Sequence, residues 1–129
     1  NRIEKLPFMD WRQLPAVIAG LDINLMPLEN SLFHWCKSEN KWTEAALVKV
    51  PSVMSRNCEM EYVVENGKDG WMCTTKEEWV NALEALVTDE KARKAMGEAA
   101  HQKVMEHYLT VNTGKDAMEE LLCSESYTK

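Results

Sequence analysis

The chain has 129 residues, 45% of them apolar and 28% charged, with a net charge of −6, a composition that suits one globular domain with a core of its own. The acidity argues against a non-specific surface for nucleic acid or anionic lipid, and no run reaches the roughly 20 apolar residues a membrane helix needs. Four cysteines without a C-x-x-C pair, beside three histidines, argue against a zinc site or a disulfide framework, so no metal or cofactor is expected and the thiols read as free in a reducing cytoplasm.

In chain order, the segment RIEKLPF is expected to be a short strand, and its charges (Arg2, Glu4, Lys5, then Asp10 and Arg12) exclude a signal peptide. Asp10 caps the following helix, Pro15 sits in its first turn, and Leu14, Val17, Ile18 and Leu21 recur at helical spacing. LDINLMPL alternates and stops at Pro27, which predicts a strand. ENSLFHWC has no period and predicts a loop, in which His34 is an ordinary loop histidine. Ser38 is expected to cap a helix over Lys41–Val48, and PSVMS predicts a short buried strand. MEYVV and WMCT read as extended pieces around a turn at Asn66-Gly67 and Asp69-Gly70.

Thr75 and Glu78 fit a capping box, ahead of a helix whose inner face is Trp79, Leu83 and Leu86. Asp89 caps the next helix, with Ala92, Met96, Ala100 and Val104 inward. Gly114 interrupts that pattern, a weaker helix is expected around Ala117–Leu122, and a polar tail follows. Four of the five tryptophans, Trp35, Trp42, Trp71 and Trp79, read as packing residues.

Alternating strands and helices predict an α/β domain with a parallel sheet and helices on both faces. A doubly wound sheet usually has about five or six strands; only three or four are visible, and the chain opens at Asn1 without a Met. A partial domain of a longer protein is therefore expected.

In such sheets ligands bind beyond the carboxyl ends of the strands. The loop after Pro27 carries Glu29 and Asn30, and the helix beginning near Ser38 carries Lys37, Ser38, Glu39 and Lys41 at its start. A helix start offers free N–H groups and a partial positive charge, which suits phosphate oxygens. Glu44, on the same helix, is placed to accept hydrogen bonds from a sugar diol. No glycine-rich phosphate loop is present, which excludes the common mononucleotide and dinucleotide motifs.

Four stretches, in order and from about Leu6 to Tyr108, resemble the nucleotide-sugar-binding domain of two-domain (GT-B) glycosyltransferases of the group 1, or family 4-like, kind: DWRQLPAVIAGLDINLMPLE, KSENKWTEAALVKVPSVMS, VVENGKDGWM and EEWVNALEALVTDEKARKAMGEAA. The resemblance implies a partial Rossmann-like donor domain over 1–108, with a C-terminal linking helix and tail over 109–129. It implies that Glu44 binds the nucleotide ribose as the second acid of the family's E-x7-E pattern, that Ser38 to Lys41 border the diphosphate, that Glu29 and Asn30 approach the donor sugar or phosphate, and that Phe8 and Met9 follow the strand meeting the base. It further implies a hexosyltransferase-like enzyme of polysaccharide biosynthesis, cytoplasmic or membrane-peripheral. That enzyme would move a sugar from a nucleotide diphosphate sugar to a saccharide or other acceptor without a bound metal. The acceptor site and any catalytic residue would lie on an N-terminal domain of the same protein, so the 129 residues alone are expected to be inactive.

Two positions depart from the family pattern: Cys36 stands where the first acid would be, and Lys49 where a glycine precedes the proline. A non-catalytic interaction or regulatory domain is the alternative that Cys36 favours. A nucleotide-sugar epimerase of the same fold is a third, requiring acidic and histidine residues upstream.

Overall fold

A computed structural model describes residues 2–29, 31–111, 113, 114 and 118. A 3-10 turn at Trp11–Gln13 leads into α1 (Leu14–Ala19), followed by β1 (Asn24–Met26), α2 (Leu32–Trp35), α3 (Asn40–Leu47), β2 (Ser52–Ser55), α4 (Cys58–Val63), β3 (Trp71–Cys73), α5 (Lys76–Thr88) and α6 (Glu90–His107). The three strands form one parallel sheet in the order β1-β2-β3. The fold is Rossmann-like α/β, as the alternation predicts.

Strand register sorts the core. Met26 pairs with Met54 and Met54 with Met72, so one sheet face carries a row of three methionines. Trp42 and Ala46 from α3, Met60 from α4, and Ala100 and Val104 from α6 close over that row. Methionine fills irregular gaps well, which suits a face covered by three helices at different angles. Side chains alternate along a strand, so Val53 and Cys73 lie on the opposite face, packed against Ala82 and Leu86 of α5 and Met96 of α6.

One buried carboxylate ties these pieces together. Asp69, 1% exposed, lies in the turn before β3. Its Oδ1 accepts from the Glu65 N–H at 2.8 Å, its Oδ2 is ion-paired with Lys103 Nζ of α6, and its backbone carbonyl accepts from Trp42 Nε1 of α3 at 2.9 Å. Lys103 also donates to Val63 O at the end of α4, at 3.0 Å. A charge this deep is tolerated only when paired and hydrogen-bonded, and here it is both.

A second constraint sits between α3 and β2. Lys49 adopts φ 62°, the left-handed region, at the position where the sequence pattern has glycine. Its backbone is crossed closely by α6: a Cβ on Gly97 would lie 2.1 Å from the Lys49 carbonyl oxygen, so Gly97 is what allows the approach. Lys49 Nζ also meets Glu98 Oε2 at 2.8 Å.

Several predicted elements differ. RIEKLPF is not a strand: Ile3, Leu6 and Phe8 are exposed, and the segment pairs with neither outer edge of the sheet, so its apolar residues have no face to bury. ENSLFHWC contains α2, since the Ser31 hydroxyl caps the turn. MEYVV lies in and just after α4, because Asn57 Oδ1 accepts from Met60 N at 2.8 Å and the cap outweighs the β propensity of the valines and tyrosine. Ser38 is not the cap of α3: the helix begins at Asn40, with Glu39 in the N-cap position and no side-chain cap. Ala92 faces outward. The expected helix around Ala117–Leu122 and the tail to Lys129 lie outside the described residues, Met118 apart.

Asp69→Ala would leave Lys103 without its counter-ion and the Glu65 N–H without an acceptor. The expected cost is about 3 kcal/mol of unfolding free energy, read as a lowered urea midpoint; an unchanged midpoint would show that the carboxylate holds nothing together.

Candidate functional site

Two clefts adjoin at the carboxyl edge of the sheet. The larger, about 550 Å³, opens beyond all three strands: Leu28 and Glu29 follow β1, Arg56 and Asn57 follow β2, and Thr74 follows β3. The smaller, about 370 Å³, lies between the loop after β1 and the start of α3, with Phe33, Lys37, Ser38, Asn40 and Lys41 around it. Leu28 and His34 line both.

Local chemistry fixes these walls. Pro27 has no N–H to continue the ladder, and Ser55 takes over as the partner: its hydroxyl accepts from Leu28 N at 2.8 Å and donates to Leu28 O at 3.0 Å. The loop after β1 is thereby pinned to the end of β2. Asn57 caps α4 through Oδ1 and reaches His34 O with its amide at 3.4 Å, linking α2 to the floor of the larger cleft. Trp35 and Trp79 form apolar wall, and Arg56 pairs with Glu61 at 3.0 Å.

In the smaller cleft the start of α3 is open. No side chain caps it, so the first-turn N–H groups of Asn40, Lys41 and Trp42 have no side-chain partner among the described residues. The helix is held from behind: Trp42 is fully buried, and Asn24 Nδ2 donates to Lys41 O at 3.3 Å. Lys37 Nζ sits 4.3 Å from the centre of the Phe33 ring, a cation–π contact that leaves its charge uncompensated. Among the described residues neither Lys37 nor Lys41 forms an ion pair, whereas Lys49, Lys68, Lys94 and Lys103 all do. An uncapped helix start with two uncompensated ammonium groups can hold an anion.

The residues singled out in the sequence divide accordingly. Lys37, Ser38 and Lys41 meet in the smaller cleft and Glu29 lines the larger. Glu39 is the N-cap of α3 and lines neither; Glu44, one turn on, is exposed and also lines neither. Phe8 is fully exposed and Met9 half-buried, in the extended segment before the 3-10 turn. Asn30 lies outside the described residues. Cys36 is exposed, outside both clefts. Arg56, Asn57 and Thr74 were not singled out; applying the strand-end rule to β2 and β3 as well as β1 finds them. Among the described residues no group of acidic, histidine or cysteine side chains is placed to hold a metal ion, and no helix is long and apolar enough to cross a membrane.

Two titrations bear on the walls. Burial raises the pKa of the Cys73 thiol at the back of the larger cleft. The Thr74 and Thr75 N–H groups donate to Glu78 Oε2 at 2.5 and 3.0 Å and, as its main perturbation, hold that carboxyl below its ordinary value. With Thr75 Oγ1 accepting from Glu78 N at 3.2 Å, this capping box sets where α5 starts, immediately after its N-cap Thr75.

A family model described as "Glycosyl transferase-like" matches residues 2–119. Among solved structures, the C-terminal domain of a glycosyl transferase group 1 family protein (LpcC) from Francisella tularensis shares the fold, with a TM-score of 0.60 and 18% identity over 80% of this chain. The match takes in 52% of that structure, so the chain spans about half its length. No curated protein matches the sequence.

The Glu78 carboxylate contributes to stability above its unfolded value of 4.5, and that contribution is lost as pH falls through the lower folded value. The stability gap between wild type and Glu78→Gln in urea melts is therefore expected to be full at neutral pH and to close below 4.5; a gap that does not change with pH would contradict this.

Proposed function

The chain belongs to the glycosyl transferase-like family, and from that premise we propose that it is the donor-binding part of a glycosyltransferase that moves a sugar from a nucleotide diphosphate sugar to an acceptor hydroxyl. The observation that carries this reading is the smaller cleft, where the uncapped start of α3 converges with Lys37 and Lys41. Diphosphate oxygens at that helix start would receive backbone N–H donors, and the two ammonium groups would offset the charge that grows on the leaving diphosphate. No metal is required for that. The larger cleft adjoins it and has the size and the mixed aromatic and polar lining that a sugar needs.

Of the two carboxylates lining the larger cleft, Glu61 is paired with Arg56 and Glu29 is the one proposed for sugar hydroxyls. Glu44 is proposed for the ribose at the exposed outer rim of α3, with Phe8 and Met9 on the base side; Asn30, outside the described residues, is proposed with Glu29 for the donor sugar or phosphate. The base is then held outside the two clefts, on surface that a further part of the enzyme covers. The acceptor and any catalytic base belong to a partner domain of the same protein, and the 129 residues alone transfer no sugar. The whole enzyme is proposed to be hexosyltransferase-like and to work in polysaccharide synthesis at the cytoplasmic side of the cell.

Calorimetric titration of the chain with UDP, GDP and ADP tests this. Saturable binding of at least one is expected, weakened about tenfold in Lys41→Ala, the loss of one charge-assisted contact. Absence of binding by all three would favour a non-catalytic interaction domain.

A further inference from the structure

His34 stands where the two clefts meet, and three contacts fix it there. The Ser31 hydroxyl lies 2.7 Å from His34 Nδ1, the Asn57 amide donates to the His34 carbonyl at 3.4 Å, and the Phe33 ring meets the imidazole edge-on at 5.2 Å between centroids. The Phe33 ring also carries the Lys37 ammonium, so the cation of the smaller cleft and the imidazole of the junction share one aromatic support.

Ser31 Oγ accepts from the His34 backbone N–H at 3.4 Å, as an N-cap does, and its hydroxyl can donate to His34 Nδ1; in that arrangement the ring proton of the neutral imidazole sits on Nε2. In the imidazolium form Nε2 is a donor as well, with Ser31 then accepting from Nδ1. In both forms Nε2 presents an N–H, and among the described residues nothing is bonded to it.

We propose that His34 is a ligand-contacting residue that joins the two clefts into one donor site, its Nε2–H donating to the oxygens of the phosphate that carries the sugar. The inference rests on the donor reading above. It follows from placement: with the diphosphate at the start of α3 and the sugar in the larger cleft, the sugar-linked phosphate crosses the junction that His34 lines. His34 thus sets how far along the ligand recognition extends: the nucleoside and first phosphate lie beyond its reach, and the second phosphate and its substituent do not.

The test compares wild type, His34→Ala and His34→Gln in calorimetric titrations with the mono- and diphosphates of uridine, guanosine and adenosine and with the corresponding glucose diphosphates. His34→Ala is expected to weaken the diphosphate and the sugar conjugate about tenfold and to leave the monophosphate unchanged; His34→Gln, which retains an N–H donor, recovers most of the loss. A merely structural role would weaken all ligands together, and that result, or no loss with any of them, would overturn the proposal while leaving the donor reading standing. Failure of wild type to bind any of these ligands would overturn both.

Discussion

The architecture depends on one buried charge. Asp69 joins the turn before β3 to α6 through Lys103, and to α3 through the Trp42 indole. Neither helix is held against the other by shape alone. The methionine row supplies apolar area but little direction, because methionine packs adaptably. The carboxylate supplies direction, since its partners occupy fixed positions on separate elements. A buried pair of this kind contributes little net stability relative to an apolar substitute, but losing one partner is costly. Its effect here is to fix α6 against the turn before β3, whose Asp69 backbone carbonyl in turn anchors α3, and with it the start of α3 at the cleft, through the Trp42 indole.

The cleft is the consequence at the other end of the sheet. Three short parallel strands stop together, and side chain–backbone bonds hold the segments beyond them: Ser55 at the end of β2 holds Leu28 after β1, Asn57 after β2 holds His34, and Thr75 and Glu78 after β3 hold each other. The walls are thus tied by side chain–backbone bonds, which leaves the concavity open, with Trp35 and Trp79 as apolar wall beside the polar groups. Two features then give it a sign. The start of α3 has no cap, and Lys37 and Lys41 form no ion pair among the described residues. In a chain with a net charge of −6, uncompensated cations at an open helix start are a local exception to the general field.

What the sequence disclosed follows the range of each signal. The Thr75–Glu78 box, the Asp89 cap and the inward face at Met96, Ala100 and Val104 are local patterns, and each appears where the pattern puts it. The buried strand at PSVMS was equally legible; Lys49 showed only as a departure from glycine, and its left-handed backbone comes from the structure. The failures have a common cause. Ser31 and Asn57 cap one-turn and two-turn helices too short to show a period, so those stretches read as loop and strand. RIEKLPF has strand-like composition, but a strand needs a partner edge and the sequence does not say whether one is present. Ser38 was a residue type suited to capping at nearly the right position; the α2 turn ahead of it moved the helix start on to Asn40. The site was half legible: lysines and serine at a helix start are visible in one dimension, but the junction at His34 arises from two loops and a cap that only the fold brings together.

The central claim is that the uncapped start of α3 holds the diphosphate, and backbone amide shifts report on that directly. In a 15N-resolved titration with the diphosphate that binds, the amides of Asn40, Lys41 and Trp42 are predicted to show the largest, saturable shifts, with the Glu65 and Lys103 amides at the Asp69 node unmoved. Saturable shifts centred elsewhere, with the α3 amides unmoved, would contradict the account.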